Sequence, residues 1–102
     1  MECRKDIGII WGYCNTDFEP IADVLYTIRE KYDGFTVCRM KQGSCVKSYL
    51  KSTRNGNDVF YCDILWGRCY KYETAKKHLL RLLKKDRKNG INAKAIICGE
   101  II

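Results

Sequence analysis

The sequence predicts a ferredoxin-like α+β fold, with the split βαβ order βαββαβ, a four-stranded antiparallel sheet and two helices on one face. Two helical patterns alternate with short strand patterns along a chain of 102 residues, the size of one domain. A stretch also occurs twice, as Ile-Ile-Trp-Gly-Tyr-Cys at 9–14 and Ile-Leu-Trp-Gly-Arg-Cys at 64–69. Because this fold has pseudo-twofold symmetry relating its first and third strands, the repeat favours it.

The first two predicted elements are a strand over residues 7–13 and a helix over residues 17–32. The strand is rich in Ile. A capping box that begins at Thr16 opens the helix, and apolar side chains then recur at helical spacing. The pair Asp33-Gly34 ends the pattern, as a left-handed glycine cap commonly does.

A strand over residues 35–40 and a hairpin over 45–52 and 58–66 come next. The segment Arg54-Asn55-Gly56 is typical of a three-residue hairpin loop. That loop gives a register in which one face is mostly apolar, and a one-residue slip would destroy this sorting. The predicted pairs are Val46 with Ile64, Lys47 with Asp63, Ser48 with Cys62, Tyr49 with Tyr61, Leu50 with Phe60 and Lys51 with Val59.

A second helix is predicted over residues 72–88 and a final strand over residues 92–98. Asn89-Gly90 ends this helix. Its buried stripe consists of Ala75, Leu79, Leu82 and Leu83.

The charge of the chain is unevenly distributed. The net charge is +7, with −3 in residues 1–33 and +10 in residues 34–102. A positive field attracts nucleic acid or an acidic protein. No apolar run approaches the length of a membrane span, and the charged N-terminus does not resemble a secretory signal. Seven cysteines, an odd number, favour free thiols in the cytoplasm over a disulfide framework.

The second predicted helix carries a basic stripe. Lys77, Arg81, Lys84 and Lys88 follow one another at helical spacing, with Lys85 beside them. Like charges so spaced repel, and a phosphate backbone or an acidic partner would relieve that repulsion. The alternatives are a solvated face, or ion pairs with the acidic first predicted helix, which carries Asp17, Glu19, Asp23 and Glu30.

The sheet face away from the helices is the second candidate surface. Its predicted apolar patch contains Ile10 and Leu65, and aromatic residues among lysines suit base stacking with phosphate contacts. The remaining candidate binding residues of this surface and its hairpin are Lys47, Tyr49, Lys51, Arg54 and Tyr61. Trp11 and Trp66 are predicted to point the other way, into the core. A second copy of the chain could cover the face instead, as a homodimer.

The predicted topology resembles that of the RNA-recognition motif, whose members bind RNA on this sheet face through strands 1 and 3. In this chain the third strand reads Asp-Val-Phe-Tyr-Cys-Asp at 58–63, with one aromatic residue per face. The resemblance therefore implies a binding role for Tyr61 alone.

The sequence offers little for catalysis or for a cofactor. The spacings Cys38-x6-Cys45 and Cys62-x6-Cys69 are wider than zinc knuckles use, and His78 has no predicted cysteine partner. Three acids, Asp6, Asp63 and Glu100, could approach each other around the strands, which leaves a metal-dependent nuclease as a third alternative.

The sequence therefore predicts a non-catalytic cytoplasmic binding protein without metal or cofactor. Its expected partner is RNA or DNA, or a protein–nucleic-acid complex, engaged through the basic helix and the open sheet face. The rival interpretation is a small protein-binding inhibitor or adaptor, of the kind that phages and mobile elements use to block a host enzyme or defence complex.

Overall fold

The computed structural model describes residues 22–32, 34–41, 47–54 and 57–102. Within them, six strands form one sheet in the order β4-β3-β2-β1-β5-β6, antiparallel throughout except for the parallel pair β1 and β5. The elements are β1 (Val24–Lys31), β2 (Gly34–Lys41), β3 (Lys47–Arg54), β4 (Asn57–Tyr61), a 3-10 helix (Ile64–Trp66), α1 (Tyr72–Lys88), β5 (Ala93–Ile97) and β6 (Glu100–Ile101).

The ferredoxin-like α+β prediction is wrong. In the described part of the chain, a six-stranded mixed sheet carries one helix, in place of a four-stranded antiparallel sheet with two. The main cause is β1, which occupies residues predicted as the second half of a helix over 17–32. The resemblance in topology to the RNA-recognition motif is lost with it. The predicted strand over 7–13 and residues 17–21 lie outside the described residues.

Strand β1 misleads a periodicity argument because it is buried on both faces. Val24, Tyr26 and Ile28 pack on the helix side of the sheet. Leu25 and Thr27 alternate with them and are also buried. A continuous apolar run fits a helix and a two-sided strand equally well. The β-branched and aromatic composition of the segment favours the strand.

Gly34, predicted as a helix cap, is instead the first residue of β2 and follows the strand β1; Asp33 lies outside the described residues. Lys31 pairs with Gly34, so two residues join β1 to β2. Tyr32 has a φ of 51°, as such tight connections require. A Cβ at Gly34 would also lie only 2.8 Å from the carbonyl oxygen of Tyr70. Glycine is therefore needed here for close approach.

The predicted second helix and two of the predicted strands are confirmed. The helix over 72–88 matches α1, and its predicted buried stripe is buried. Strands β2 and β5 lie where they were predicted, and Gly90 ends the helix at a φ of 81°. No helix in the described ranges has the length and apolar character needed to cross a membrane.

The hairpin register is confirmed only at its centre. Tyr49 pairs with Tyr61 and Leu50 with Phe60, but a β-bulge then shifts the register so that Ser52, not Lys51, faces Val59. Because β4 ends at Tyr61, the predicted pairings of Lys47 with Asp63 and of Ser48 with Cys62 are wrong. On the other edge of β3, Lys47 pairs with Met40 and Ser48 with Arg39 of β2. Val46 lies outside the described residues.

Apolar side chains are buried on both faces of the sheet. The helix-side cluster joins α1 to the inner strands, with Leu50, Leu79 and Ile28 fully buried. The far-side cluster consists of Leu25, Cys38, Met40, Tyr49 and Ile96. The prediction of an open sheet face is therefore wrong for the centre of that face.

The chain passes from the far side of the sheet to the helix side between β2 and β3. Ile64 packs against the far-side cluster, whereas α1 packs on the other face. In between, the Arg68 amide donates to the Leu50 carbonyl at 2.8 Å, and Phe35 and Tyr70 exchange backbone hydrogen bonds of 2.7 and 2.6 Å. We call residues 64–70 the crossing segment. It contains the second copy of the repeat; the first copy, at 9–14, lies outside the described residues.

Gly67 lies at the tightest point of the crossing segment. It is buried, and a Cβ there would lie 2.9 Å from Thr36 Oγ1 and 3.0 Å from Tyr49 Cβ. The side chain before it, Trp66, points outward and is 58% exposed. The prediction that Trp66 is a core anchor is therefore wrong; Trp11 lies outside the described residues.

Candidate functional site

Exposed apolar side chains cluster where β4 leads into the 3-10 helix. Leu65 is 61%, Trp66 58% and Tyr61 41% exposed. The ring centroids of Tyr61 and Trp66 lie 6.3 Å apart. Lys51 reaches over both rings, with its Nζ 4.4 Å from the Tyr61 centroid and 5.9 Å from that of Trp66. We call Lys51, Tyr61, Leu65 and Trp66 the aromatic patch.

Hydrogen bonds at both ends hold the 3-10 helix that presents this patch. The Asp63 carboxylate accepts from the Leu65 amide at 2.9 Å, as an N-cap does. At the other end, the Lys31 ammonium donates to the Leu65 carbonyl at 2.8 Å and to the Gly67 carbonyl. Both ends of this short helix are thus satisfied, so Leu65 and Trp66 are displayed on a firmly held turn.

Tyr49 does not belong to the exposed patch. Its ring is buried in the far-side cluster, and its hydroxyl accepts from Arg29 Nη1 at 3.1 Å. Burial raises the pKa of the Tyr49 hydroxyl and raises that of the neighbouring Cys38 thiol to about 12. The prediction of Tyr49 as a surface binding residue is therefore wrong, whereas its partner Tyr61 is exposed as predicted.

The basic stripe lies on the outer face of α1, as predicted. Lys77, Arg81, Lys84 and Lys88 are exposed. Arg81 Nη2 pairs with Asp58 Oδ1 at 2.9 Å, and Lys85 Nζ with Asp58 Oδ2 at 3.3 Å. Lys77, Lys84 and Lys88 form no ion pair with any residue that the structure describes. Three positive charges of the stripe thus remain available to an anionic partner.

Asp58 holds the two paired cations from strand β4. Burial by itself would raise the pKa of this carboxyl group, but the hydrogen bonds and charges of Arg81 and Lys85 outweigh that effect and lower it overall. Asp58 is therefore ionised at neutral pH and anchors the hairpin to α1.

The structure brings together some of the predicted site residues and separates others. Lys51, Tyr61 and Leu65 meet in the aromatic patch. Lys47 lies half-buried on β3 opposite Met40. Arg54 lines a pocket with Arg68 and His78. Ile10 lies outside the described residues.

Trp66 is the functional candidate that sequence reasoning missed. It was placed in the core because residues 58–66 were treated as one extended strand with strict alternation. The strand ends at Tyr61, and Asp63 begins a helical turn. An aspartate three residues ahead of the Trp-Gly pair is an N-cap signal that could have indicated the change of structure.

The predicted carboxylate cluster does not form among the described acids. Asp63 follows β4 and Glu100 lies on β6, at opposite ends of the described strand order. Asp6 lies outside the described residues. Within the described ranges, no three His, Cys, Asp or Glu side chains come together as a metal site would require.

Comparisons with protein-family models, with curated proteins and with solved structures found no match for this chain. A function is therefore inferred from the chemistry of the aromatic patch and of the charges around it.

Proposed function

We propose that this chain is a non-catalytic binding protein for single-stranded RNA or DNA, which stacks unpaired bases on Tyr61 and Trp66. The observation that carries the proposal is the aromatic patch itself. Two exposed rings lie 6.3 Å apart with a lysine over them. Such rings offer a stacking surface to any base, and the ammonium is placed to meet the adjoining phosphate.

The charge of the chain supports the same proposal. A net charge of +7, together with Lys77, Lys84 and Lys88, which form no ion pair within the described part of the chain, would attract a phosphate backbone. Neutralising phosphates releases condensed counterions, so affinity falls steeply with salt. The stripe and the patch lie on different faces, so we assign sequence-independent attraction to the stripe and stacking to the patch.

The test is the affinity of fluorescent single-stranded oligonucleotides for Trp66→Ala, measured by anisotropy. One lost stacking contact is worth about 1–3 kcal/mol, so we expect Kd to rise roughly 5- to 150-fold. Leu80→Ala is the matched control, because Leu80 is an exposed apolar residue on α1, and it should leave Kd unchanged. Unfolding curves of both variants report their folded state.

The proposal is wrong if the wild-type chain binds no oligonucleotide at low salt. It is also wrong in its mechanism if Trp66→Ala and Tyr61→Ala bind as tightly as Leu80→Ala, since attraction by the stripe alone would then account for binding.

A specific observation favours a second candidate, a protein-binding inhibitor or adaptor. Leu65 is the most exposed member of the patch at 61%, and an aliphatic side chain adds little to base stacking. Exposed apolar and aromatic residues together are typical of protein interfaces. If Leu65→Asp abolishes a complex that survives nuclease treatment while Lys84→Glu with Lys88→Glu has no effect, this candidate replaces the first.

We place this function in the cytoplasm and without an obligatory second copy of the chain. Cys38 and Cys62 are free thiols, as a reducing compartment would keep them. A homodimer through the sheet face is less well supported, because the far-side cluster is already buried.

A further inference from the structure

The pocket that Arg54 lines with Arg68 and His78 lies apart from the aromatic patch. It has a volume of about 320 Å³, near the lower end of the range of about 300–1,000 Å³ that small-molecule sites occupy. The end of β3, the last part of the crossing segment and α1 form its walls. Its lining residues are Ser52, Thr53, Arg54, Arg68, Tyr70 and His78; we call it the arginine pocket.

The side chains of this pocket are rich in hydrogen-bond donors. Two guanidinium groups, an imidazole and three hydroxyl groups line it, and these six described residues include no carboxylate. Asp58, whose negative charge raises the pKa of His78, forms ion pairs with Arg81 and Lys85. Guanidinium groups bind phosphate oxygens through charge-assisted, often bidentate hydrogen bonds.

Ring contacts hold the wall of the pocket together. The rings of Tyr70 and His78 lie 4.8 Å apart between centroids, and the Arg68 guanidinium lies 5.9 Å from the Tyr70 centroid. Arg81 Nη2 lies 3.4 Å from His78 Nδ1. Tyr70 is itself fastened to β2 by its two backbone hydrogen bonds with Phe35. Arg68 and His78 therefore stand on a preformed surface.

The pocket also has a positive electrostatic environment. The pKa of His78 is lowered, mainly by burial. The positive charges of Arg81, Lys77 and Arg68 lower it further, whereas the negative charge of Asp58 raises it. An anion in the pocket would offset the mutual repulsion of these cations.

We propose that the arginine pocket binds a phosphate group, with Arg54 and Arg68 as its main ligands and His78 as a third donor. The phosphate comes from a small phosphorylated compound or from a nucleic-acid strand. The pocket is separate from the stacking surface. Trp66 lies before Gly67 and Arg68 after it in the crossing segment, so the two side chains are on different faces of the sheet. The proposal therefore does not depend on the proposed function.

His78 is the chain's single histidine, so its NMR titration reports on this pocket without ambiguity. The experiment follows the imidazole signals with pH in inorganic phosphate and in chloride of equal ionic strength. A bound dianion favours the imidazolium form, so the pKa of His78 should rise by about one unit, which corresponds to tenfold tighter binding of phosphate to the protonated protein.

Arg68→Ala tests the assignment of ligands, with Lys41→Ala as the matched control, because Lys41 is a cation on β2 outside both the arginine pocket and the basic stripe. Both side chains are exposed, so both variants should fold. We expect Arg68→Ala to weaken phosphate binding at least tenfold and Lys41→Ala to leave it unchanged. Equal effects of the two variants would overturn the proposal. So would a His78 titration that inorganic phosphate does not alter, unless the oligonucleotides described next do alter it.

The strand arm compares a short oligonucleotide that bears a 5′-phosphate with the same oligonucleotide bearing a 5′-hydroxyl. A shift of the His78 signals with inorganic phosphate supports a site for small phosphorylated compounds. A shift that only oligonucleotides produce, and that Arg68→Ala abolishes, supports binding of a phosphate of the nucleic-acid strand. If the oligonucleotide with a 5′-hydroxyl produces no shift, the bound group is the 5′-phosphate. If no probe shifts His78, the proposal is wrong, while Trp66-dependent binding would still stand.

Discussion

Replacing Asp58 by Asn removes a negative charge while keeping the shape of the side chain. The Asp58 side chain is only 5% exposed and accepts ion pairs from Arg81 and Lys85, whose side chains are 42% and 50% exposed. Because solvent screens these two partners, each pair is worth about 0.2–1 kcal/mol. We therefore expect Asp58→Asn to lower the free energy of unfolding by about 1 kcal/mol at pH 7.

The loss should depend on pH in a defined direction. The pKa of Asp58 is lowered in the folded protein, whereas an unfolded Asp titrates near about 3.9. Its stabilising contribution is thus fully present above the unfolded value and disappears as the pH falls through the folded value. Wild type and Asp58→Asn should differ most at neutral pH and converge in acid.

Urea unfolding at pH 7 and at about pH 3 measures both effects. Asp23→Asn is the matched control, since it makes the same chemical change at an exposed carboxylate that forms no ion pair with a described residue. A loss of equal size at the two pH values would refute the reasoning, because the cost would then come from packing. In the nucleic-acid assay, the same variant should bind more tightly, since Arg81 and Lys85 are released.

Two further variants test the packing of the sheet. Gly67→Ala should destabilise the protein by about 1–3 kcal/mol, because its Cβ would meet Thr36 Oγ1 at 2.9 Å; an unchanged Tm would contradict the tight crossing. Tyr26→Phe removes the hydroxyl that donates to Asp86 at 2.6 Å and accepts from Arg39 Nε at 3.0 Å, and should cost about 1–3 kcal/mol in urea unfolding. A neutral result would mean that Arg39 and Asp86 satisfy each other without it.

The parts of the fold that the sequence predicted are those in which local signals and the environment agree. Helix α1 has one apolar stripe, a polar outer face and a glycine just past its end, so its range was predicted correctly. Strand β1 has no such asymmetry, because both its faces are buried. Whether a run of apolar residues becomes helix or strand then depends on β2 and β5, which are distant in the sequence.

The candidate site was predictable where alternation along β4 holds and not beyond it. Tyr61 pairs with Tyr49 as the hairpin loop predicts, so the face of the sheet on which it lies followed from the register. Burial of Tyr49 depends on the far-side cluster, which no local pattern shows. The outward position of Trp66 depends on the end of β4 and on Gly67, which turns the chain through the sheet.

The parallel pairing of β1 with β5 has a consequence for biosynthesis. Val24 pairs with Ala93 and Tyr26 with Ala95, so residues of β1 meet partners that are synthesised only after β2, β3, β4 and α1. During translation, this side of β1 has to wait for β5 while β2, β3 and β4 can already pair in sequence. Unpaired strand edges recruit other chains. Until β5 emerges, this edge of β1 is therefore open to pairing with other chains.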